Sequence, residues 1–589
     1  MRSSQGFSRK YAIILAVLLL LIAAELIFFG TKKEGYHIDE MYMYGTANSE
    51  YLPFPHLNYD GYRVKDWMLE YGPGESLLQF FRNMGRDFSI LKKSGFHLKD
   101  TEIYSQYLVA KANSNDMYRP GWVTGDFFRD YVSASKSNTF NYFSVVYNFR
   151  RDTHPLLYGA LLHTVSSFAP GVFSKWFGLG LNLCITLLTV SLLYVTVRNY
   201  LGGRLPAILV AACYGLSAAA GDIALYIRMY SLLTLMVVGS LYAHLRLRES
   251  GWEWTKQDRR VLIFFTVFGY LTQYYFVFIA FGIAVASVIS MAIRKKKKSI
   301  VRYILTMAVS GVIGIVVWPF SIKAVFGGTR TGDTFGALFN MSDTFYRLKV
   351  MLNVLTHHTL GVPGWIFPCL LLAIVAVLLT VKILKKERGY SNAAEKAALL
   401  ATPVAVYFLV VSKVAPYLVD RYIMCLFPWV SVFVICGMYL LVRRFVSNGK
   451  VRTGLIIGFV LLLAFSSNAL RLGNNHLYSG GQETDHIDGD TDCVYILPPG
   501  WWNESVEDIL LLMQCKDVAV VRANELELLA GTYSPKAGRD LLIIVRDGAE
   551  ADTVDYVLQN FIEEGNTCVF TEQDRGYGRG RTLIRYRVE

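Results

Sequence analysis

The sequence predicts a mainly α-helical, polytopic membrane protein of about eleven transmembrane helices with a small extracytoplasmic α/β domain at the C-terminus. Composition is the first indication: 53% of the 589 residues are hydrophobic and 18% are charged, against roughly 25% charged in soluble domains. The second is a series of apolar runs of about 20 residues, which is the length that spans a bilayer. The third is the position of the basic residues, which cluster beside these runs as they do at cytoplasmic helix ends.

The first apolar run extends from Tyr11 to Gly30 and follows Arg2, Arg9 and Lys10. A cleaved signal peptide has a similar basic flank, but no small-residue cleavage site stands out after this run. We therefore expect a retained anchor whose N-terminus is cytoplasmic. The further apolar runs lie at about 176–197, 205–221, 228–247, 261–293, 302–325, 362–384, 396–414, 420–442 and 453–472.

The run at 261–293 is too long for a single span. We expect it to break near Thr272-Gln273-Tyr274-Tyr275 and to form two short helices joined by an aromatic turn. Every strongly basic short loop, such as Arg294–Lys298, then falls on the side of the N-terminus. This topology requires Leu156–Phe168 to lie flat at the outer interface. The alternative is that this stretch crosses and another weak run does not.

Two large segments then lie on the extracytoplasmic side. The first loop, 31–175, is rich in aromatic and polar residues, and the tail alternates short β-like runs with helical patterns. We therefore predict a transmembrane domain at 1–472, which includes the loop 31–175 with juxtamembrane helices. An extracytoplasmic α/β domain is predicted at 473–589.

Several classes of function are disfavoured by the same patterns. The net charge of +13 sits in loops beside apolar runs, so we expect contact with membrane lipids and no nucleic acid. The cysteines include no Cys-x-x-Cys pair, and no metal ligands are predicted. An ion-coupled transporter needs charged groups near the bilayer centre, whereas the candidate Glu25 lies close to the outer end of its helix.

Ionisable residues instead collect where the outer ends of the helices are expected. A carboxylate there could take the proton of an acceptor, and arginines could hold a phosphate by bidentate hydrogen bonds. The aromatic first loop could stack on sugar faces. These groups are Asp39 and Glu40 after the first span, Asp152 and His154, Asp222 and Arg228, and Lys413, Asp420 and Arg421.

Four short motifs occur in a recognisable order along about 10–450. They are Asp39-Glu40, Asp152-x-His154-Pro155-Leu156-Leu157-Tyr158, Arg228-Met229-Tyr230-Ser231-Leu232, and Asp420-Arg421-Tyr422 with Pro428. With them the chain resembles the GT-C superfamily of membrane glycosyltransferases. Within that superfamily it is similar to the bacterial relatives of dolichyl-phosphate-mannose protein mannosyltransferases and of the lipid A aminoarabinose transferase.

The resemblance implies a multi-pass enzyme of the cell membrane whose active site is extracytoplasmic. It would move a hexosyl or mannosyl-like sugar from a polyprenyl-phosphate-linked donor to a cell-envelope glycan, lipid or protein, with inversion by direct displacement. A transporter or flippase of lipid-linked glycans is the alternative, and an inactive lipid-binding scaffold is a third hypothesis. The cofactor is not defined: a divalent metal ion could share the work, but no ligand cluster in the sequence requires one.

The resemblance also implies roles for individual residues. Asp39 would be the catalytic carboxylate, with Glu40 as its helper or structural partner. Arg228 and Arg421 would contact the phosphate, and His154 would lie beside the donor or acceptor channel. The other implied substrate-binding residues are Asp152, Tyr158 and Tyr230. Two departures from the family pattern weaken the assignment of donor contacts to individual residues: Leu156 stands where the family has a second proline, and Gln273 stands where it often has a histidine.

Each of these residues also has a structural interpretation. Asp39 and Glu40 could simply end the first helix, although acids at a helix C-terminus oppose its dipole. Arg228 could be an interfacial anchor that extends towards the headgroups.

Arg421 could form a local ion pair with Asp420, and His154 could only shape the entry to the next segment. His357 and His358 are adjacent, so their side chains point about 100° apart on a helix. They cannot chelate one ion together, and we expect them to be interfacial.

Overall fold

The computed structural model describes residues 9–55, 62–74, 77–113, 120–150, 152–326, 336–384, 392–469, 476–477, 487, 489–500, 504–549, 552–564, 568–578 and 580–589. The chain forms two compact units. Unit 1 comprises Met1–Lys33, Arg151–Tyr158 and Gly178–Leu477, and unit 2 comprises Glu34–Arg150, Gly159–Phe177 and Tyr478–Glu589. The functional division at 472/473 stays a prediction.

The helices up to residue 272 are α1 (Arg9–Lys32), α2 (Ile38–Asn48), α3 (Val64–Glu70), α4 (Leu77–Lys93), α5 (Glu102–Ala112), α6 (Gly125–Val132), α7 (Tyr142–Phe149), α8 (Leu157–Ser166), α9 (Lys175–Thr196), α10 (Arg204–Gly215), α11 (Ala218–Leu225), α12 (Tyr230–Glu249) and α13 (Lys256–Thr272). Those that follow are α14 (Phe276–Ile293), α15 (Lys297–Val317), α16 (Phe320–Phe326), α17 (Thr344–Leu360), α18 (Ile366–Leu384), α19 (Asn392–Val414), α20 (Phe427–Phe445), α21 (Gly449–Ala469), α22 (Ile509–Leu512) and α23 (Thr553–Asn560).

Among the described residues, eight helices are long and apolar enough to cross a membrane, or nine if the bent pair α10–α11 is one span. The axes of that pair differ by 56°. The polytopic helical fold is therefore confirmed, whereas the predicted count of about eleven is not. The other two predicted spans correspond to α13, which has 17 residues, and to the short apolar helix Ile366–Thr380.

The predicted break inside 261–293 is confirmed. Helix α13 ends at Thr272, Gln273 is extended with φ −159° and ψ 132°, and α14 begins at Phe276. The stretch 156–168 forms α8, a helix of 10 residues. Such a helix is about 15 Å long, which is half of the hydrocarbon thickness.

The tail folds around a six-stranded mixed sheet, so the predicted α/β character is confirmed. Its strands are β1 (Gly121–Thr124), β2 (Asp492–Leu497), β3 (Asp517–Arg522), β4 (Asp540–Arg546), β5 (Phe570–Gly578) and β6 (Arg581–Val588), in the order β1-β3-β2-β4-β6-β5. The central pairs β2–β3 and β2–β4 are parallel, and the outer pairs are antiparallel.

The sequence of the central strands explains this arrangement. Every residue of β2 is buried, as expected for a parallel strand covered on both faces. The edge strand β1 comes from the first loop and pairs antiparallel with β3, with Trp122 opposite Ala519. Trp122 stacks on Tyr533 at a ring-centre distance of 5.2 Å. The loop and the tail thus share one sheet, which the sequence did not predict.

Candidate functional site

The acidic pair after α1 begins a new helix in unit 2. Glu40 is fully buried, and its Oε2 accepts the backbone N–H of His37 at 2.7 Å. His37 Nδ1 in turn accepts the backbone N–H of Asp39 at 3.0 Å. Together these bonds form a capping box at the start of α2. The acids therefore lie where the helix dipole favours them, and the structural interpretation that they end α1 is wrong.

Asp39 and Glu40 differ in their surroundings. The Asp39 side chain is 31% exposed, and its Oδ2 lies 3.6 Å from His37 Nδ1. Helix α2 is held firmly: the Tyr44 hydroxyl donates to the carbonyl of Ser174 at 2.9 Å. Gly45 faces the ring of Tyr131 so closely that a Cβ there would overlap it. Asp39 is thus a half-exposed carboxylate on a rigid helix start.

Asp152, His154 and Arg228 are brought together in unit 1. Asp152 Oδ1 accepts the backbone N–H of His154 at 3.0 Å and lies 2.9 Å from its Nδ1. Burial alone would raise the pKa of Asp152, but the hydrogen bond and charge of His154 outweigh it. With the positive charge of Arg228, they hold the pKa of Asp152 below its usual value. Three of the predicted site residues therefore form one electrostatic group.

Asn182 organises the segment that leads into Arg228. Its Oδ1 accepts the hydroxyls of Tyr158 at 2.9 Å and Ser231 at 2.6 Å. Its Nδ2 donates to the carbonyls of Ala224 at 3.2 Å and Tyr226 at 2.8 Å. All of these are buried polar groups, which need such partners. Tyr158 thus helps to hold the backbone at Ala224 and Tyr226 through the side chain of Asn182. The sequence analysis did not predict a role for Asn182.

Arg421 belongs to a largely buried aromatic cluster of unit 1. Its Nη1 donates to the hydroxyl of Tyr226 at 3.2 Å, and its guanidinium carbon lies 5.4 Å from the ring centre of Tyr422. Tyr226 stacks on the predicted residue Tyr230 with ring centres 5.7 Å apart and planes 8° apart. Arg421 and Tyr230 are therefore linked through Tyr226, a residue that the motif comparison did not single out.

Two aspartates and two histidines lie next to these aromatic residues. We call them the histidine–carboxylate cluster: Asp222, His358, Asp420 and His476. His358 Nδ1 lies 2.7 Å from Asp222 Oδ2, and His476 Nε2 lies 2.8 Å from Asp420 Oδ2. The ring of Tyr226 lies 4.7 Å from that of His476.

The hydrogen bonds within the cluster shift the pKa values of Asp420 and His358. Burial alone would raise the pKa of Asp420, but the charge and hydrogen bond of His476, with smaller effects of His358 and the Arg421 N–H, lower it to about 2. Burial alone would lower the pKa of His358, and its hydrogen bond and ion pair with Asp222 raise it above the usual value. Asp420 is thus held as a carboxylate, chiefly by His476.

Sequence reasoning missed most of this cluster. His358 and His357 were treated alike as interfacial residues, yet only His358 bonds to Asp222. His476 follows α21 in a polar segment without a motif. The four residues lie as far apart as 222 and 476 in the chain. No spacing rule links such positions, so tertiary folding alone reveals the cluster.

The eight to nine candidate spans and the mixed sheet define a multi-pass membrane protein with an α/β domain. No protein-family model matches the chain, and no curated protein matches it either. Among solved structures, it is similar to apo ArnT from Cupriavidus metallidurans, with a TM-score of 0.42 and 11% identity over 73% of this chain and 87% of that one. It is also similar to the same protein bound to undecaprenyl phosphate, with a TM-score of 0.40, 10% identity and the same coverage. The assignment of a site therefore depends on this chain's own residues.

Proposed function

We propose that this chain is a glycosyltransferase that moves a sugar from a polyprenyl-phosphate-linked donor to an extracytoplasmic acceptor. The observation that carries the proposal is the group of cationic and aromatic side chains at one end of the membrane helices of unit 1. Arg228, which is 5% exposed, and Arg421 lie in this group with the stacked rings of Tyr226 and Tyr230. Cationic and aromatic side chains grouped in this way suit a phosphate attached to a sugar and a lipid.

The choice of arginine supports phosphate as the ligand. A guanidinium keeps its charge in an apolar environment, and its planar N–H groups match two phosphate oxygens. A buried cation costs free energy unless it is compensated. Asp152 compensates Arg228 in part through its negative charge, so the pair can exchange partners with an anionic ligand at moderate cost.

The proposed reaction is a direct displacement at the anomeric carbon. The acceptor oxygen attacks that carbon and loses its proton to a carboxylate, for which Asp39 is the candidate base. The bond between the anomeric carbon and the phosphate oxygen breaks, and the phosphate leaves with the electron pair. Arginine side chains stabilise the phosphate as its charge grows. One displacement inverts the anomeric centre.

Asp39 is preferred to Glu40 as the base because their side chains have different contacts. Glu40 is buried and caps its own helix through the His37 N–H. Asp39 is 31% exposed, so an acceptor hydroxyl can approach it. We therefore expect Glu40 to act on stability and Asp39 to act on the chemistry.

The extracytoplasmic location of the reaction is part of the same proposal. Helix α12 has 20 residues and is about 30 Å long. Arg228 precedes its first turn, while Arg246 and Arg248 lie in its last turn. Under the positive-inside rule, the end with the denser basic residues is cytoplasmic. This charge distribution supports an outer position for Arg228.

The test uses the full chain, purified in detergent, with a panel of radiolabelled polyprenyl-phosphate sugars and membrane extract as acceptor. Asp39→Asn should lower transfer by about 100- to 10,000-fold, because it removes the base. Asp126→Asn is the matched control, since Asp126 also occupies the first turn of a unit 2 helix but is exposed. It should retain full activity. Equal transfer by wild type and Asp39→Asn would exclude Asp39 as the base.

A second comparison addresses the phosphate. Arg421→Gln should raise the KM for the donor much more than Lys136→Gln, which changes an exposed cation of unit 2. Absence of transfer with every donor by a folded wild-type protein would overturn the glycosyltransferase. A liposome assay for flipping of lipid-linked glycans would then test the alternative.

A further inference from the structure

We propose that Asp222, His358 and Asp420 form a binding site for one divalent transition-metal ion. The site differs from the proposed phosphate contacts, and its existence does not depend on the proposed reaction. The three side chains come from the end of α11, the last turn of α17 and the segment before α20. Ion binding would therefore join three separate parts of unit 1.

The geometry of the potential ligand atoms supports this site. One carboxylate oxygen of Asp222, one of Asp420 and a ring nitrogen of His358 all lie within 4.8 Å of one another. Ligands at 2.0–2.2 Å from a tetrahedral ion are separated by about 3.3–3.6 Å. Small side-chain movements would thus bring the three atoms to coordination distance.

Burial gives the second, independent reason. The side chains are 1% exposed for Asp222, 11% for Asp420 and 14% for His358. Two carboxylates so close together in an apolar region repel each other, and each needs a positive neighbour. His358 and His476 are such neighbours in this structure, and a divalent cation between the two carboxylates would place two positive charges directly beside both of them.

The surrounding contacts hold the ligands in place, as the hydrogen-bond partners of ligand side chains do in metal sites. Asp420 Oδ1 accepts the backbone N–H of Arg421 at 2.8 Å, and Asp420 Oδ2 lies 2.8 Å from His476 Nε2. His358 stacks on Phe427, with ring centres 5.8 Å apart and planes 14° apart. His476 is itself fixed, since Lys33 Nζ donates to its carbonyl at 2.7 Å. We therefore assign His476 as a positioning residue.

The mixed ligand set indicates the kind of ion. Imidazole nitrogen with carboxylate oxygen suits Zn²⁺, whereas Mg²⁺, Ca²⁺ and Mn²⁺ favour oxygen ligands. Three protein ligands leave at least one coordination position open, as in sites where an ion contacts water or a substrate. A closed structural zinc site would have four protein ligands.

The test measures metal binding directly on the full wild-type chain in detergent. The protein is stripped with chelator, incubated with Zn²⁺, separated from free ions and analysed by elemental mass spectrometry. We expect one ion per chain and an apparent melting temperature that rises with the logarithm of the metal concentration. Absence of a stoichiometric ion would overturn the proposal and leave two hydrogen-bonded Asp–His pairs.

Two adjacent histidines provide a matched pair of variants. His358→Gln should abolish stoichiometric binding and the metal-dependent rise in melting temperature. His357→Gln changes the neighbouring, exposed residue and should leave both unchanged. His476→Gln should weaken affinity by about 10- to 100-fold, as loss of an outer-shell partner does. Equal binding by His358→Gln and His357→Gln would overturn the assignment.

A spectroscopic measurement covers the case in which His358→Gln does not fold. Co²⁺ bound to wild type should give the intense visible absorption of a four- or five-coordinate ion. A weak spectrum typical of six-coordinate, hydrated Co²⁺ would overturn the site. This readout needs no variant and no assay of transferase activity.

Discussion

Unit 1 buries carboxylates at both ends of α12, but it pairs them with different cations. At one end lies the histidine–carboxylate cluster. At the other, Glu395 accepts hydrogen bonds from the side chains of Arg248, Arg294 and Ser290, and we call these four residues the arginine–carboxylate cluster. The Glu395 and Arg248 side chains are 2% and 3% exposed. The two clusters are therefore similar in burial and differ in the chemistry of their cations.

The difference determines what each end can do. A guanidinium stays protonated and has no lone pair for a metal ion, so the arginine–carboxylate cluster is a closed ion-pair network. An imidazole can lose its proton and then bind a metal ion or accept a hydrogen bond. Unit 1 thus holds one cluster whose cations stay protonated and one cluster whose histidines can exchange a proton for a metal ion. This contrast yields three predictions about stability, ordered here from the largest effect to the smallest.

Removal of the central carboxylate should have the largest effect. Glu395→Ala would leave Arg248 buried without its ion-pair partner, and such a change costs about 3–5 kcal/mol. Thermal unfolding in detergent should show a strongly lowered melting temperature.

The matched control is Glu253→Gln, which changes an exposed acid near the same end of α12. Its carboxylate lies 3.6 Å from Lys296 Nζ and is 79% exposed, so we expect no measurable loss. If Glu395→Ala unfolded at the temperature of this control, the arginine–carboxylate cluster would contribute nothing to stability.

A smaller loss is expected from the glycine that ends α17 beside His358. Gly361 has a φ of +67°, and a Cβ there would lie 2.5 Å from the backbone carbonyl of Ser466. Gly361→Ala should therefore cost about 1–3 kcal/mol, since both the backbone and the packing would be strained. It should also weaken metal binding, because the end of α17 carries His358.

Gly311→Ala provides the control for this change. Gly311 lies inside α15, and a Cβ there would meet no neighbour within 4 Å. Alanine is the better helix former, so this variant should be as stable as wild type or more stable. Equal melting temperatures for both variants would show that the end of α17 tolerates a side chain and that Gly361 is not required there.

Local patterns account for the parts of the fold that the sequence predicted. Apolar runs predicted the long helices, and Gln273 with its aromatic neighbours marked the break between α13 and α14. Alternation in the tail predicted the α/β domain. The pairing of β1 with β3 joins residue 121 to residue 520, and no local pattern in a four-residue segment encodes a partner so distant.

The site was less predictable for the same reason. The motif residues Asp152, His154 and Arg228 do lie together, since each follows from a short segment near a helix end. The structural interpretation of Asp39 and Glu40 placed them at the end of α1. The capping box at His37, which the sequence analysis did not recognise, places them at the start of α2. His476 and Asn182 have no motif, and only tertiary contacts reveal their roles.

The third prediction concerns a hydroxyl in the arginine–carboxylate cluster. Ser290 Oγ donates to Glu395 and accepts the indole N–H of Trp252 at 3.1 Å. Ser290→Ala should cost about 1 kcal/mol, because it removes two buried hydrogen bonds, the one that Ser290 donates to Glu395 and the one that it accepts from the indole N–H of Trp252. Ser191→Ala is the control, since the Ser191 hydroxyl donates only to Leu187 in its own helix at 2.8 Å and such bonds contribute little. Equal unfolding of both variants would remove Ser290 from the cluster. The metal-dependent rise in melting temperature should persist in Ser290→Ala, because its cluster contains no metal ligand.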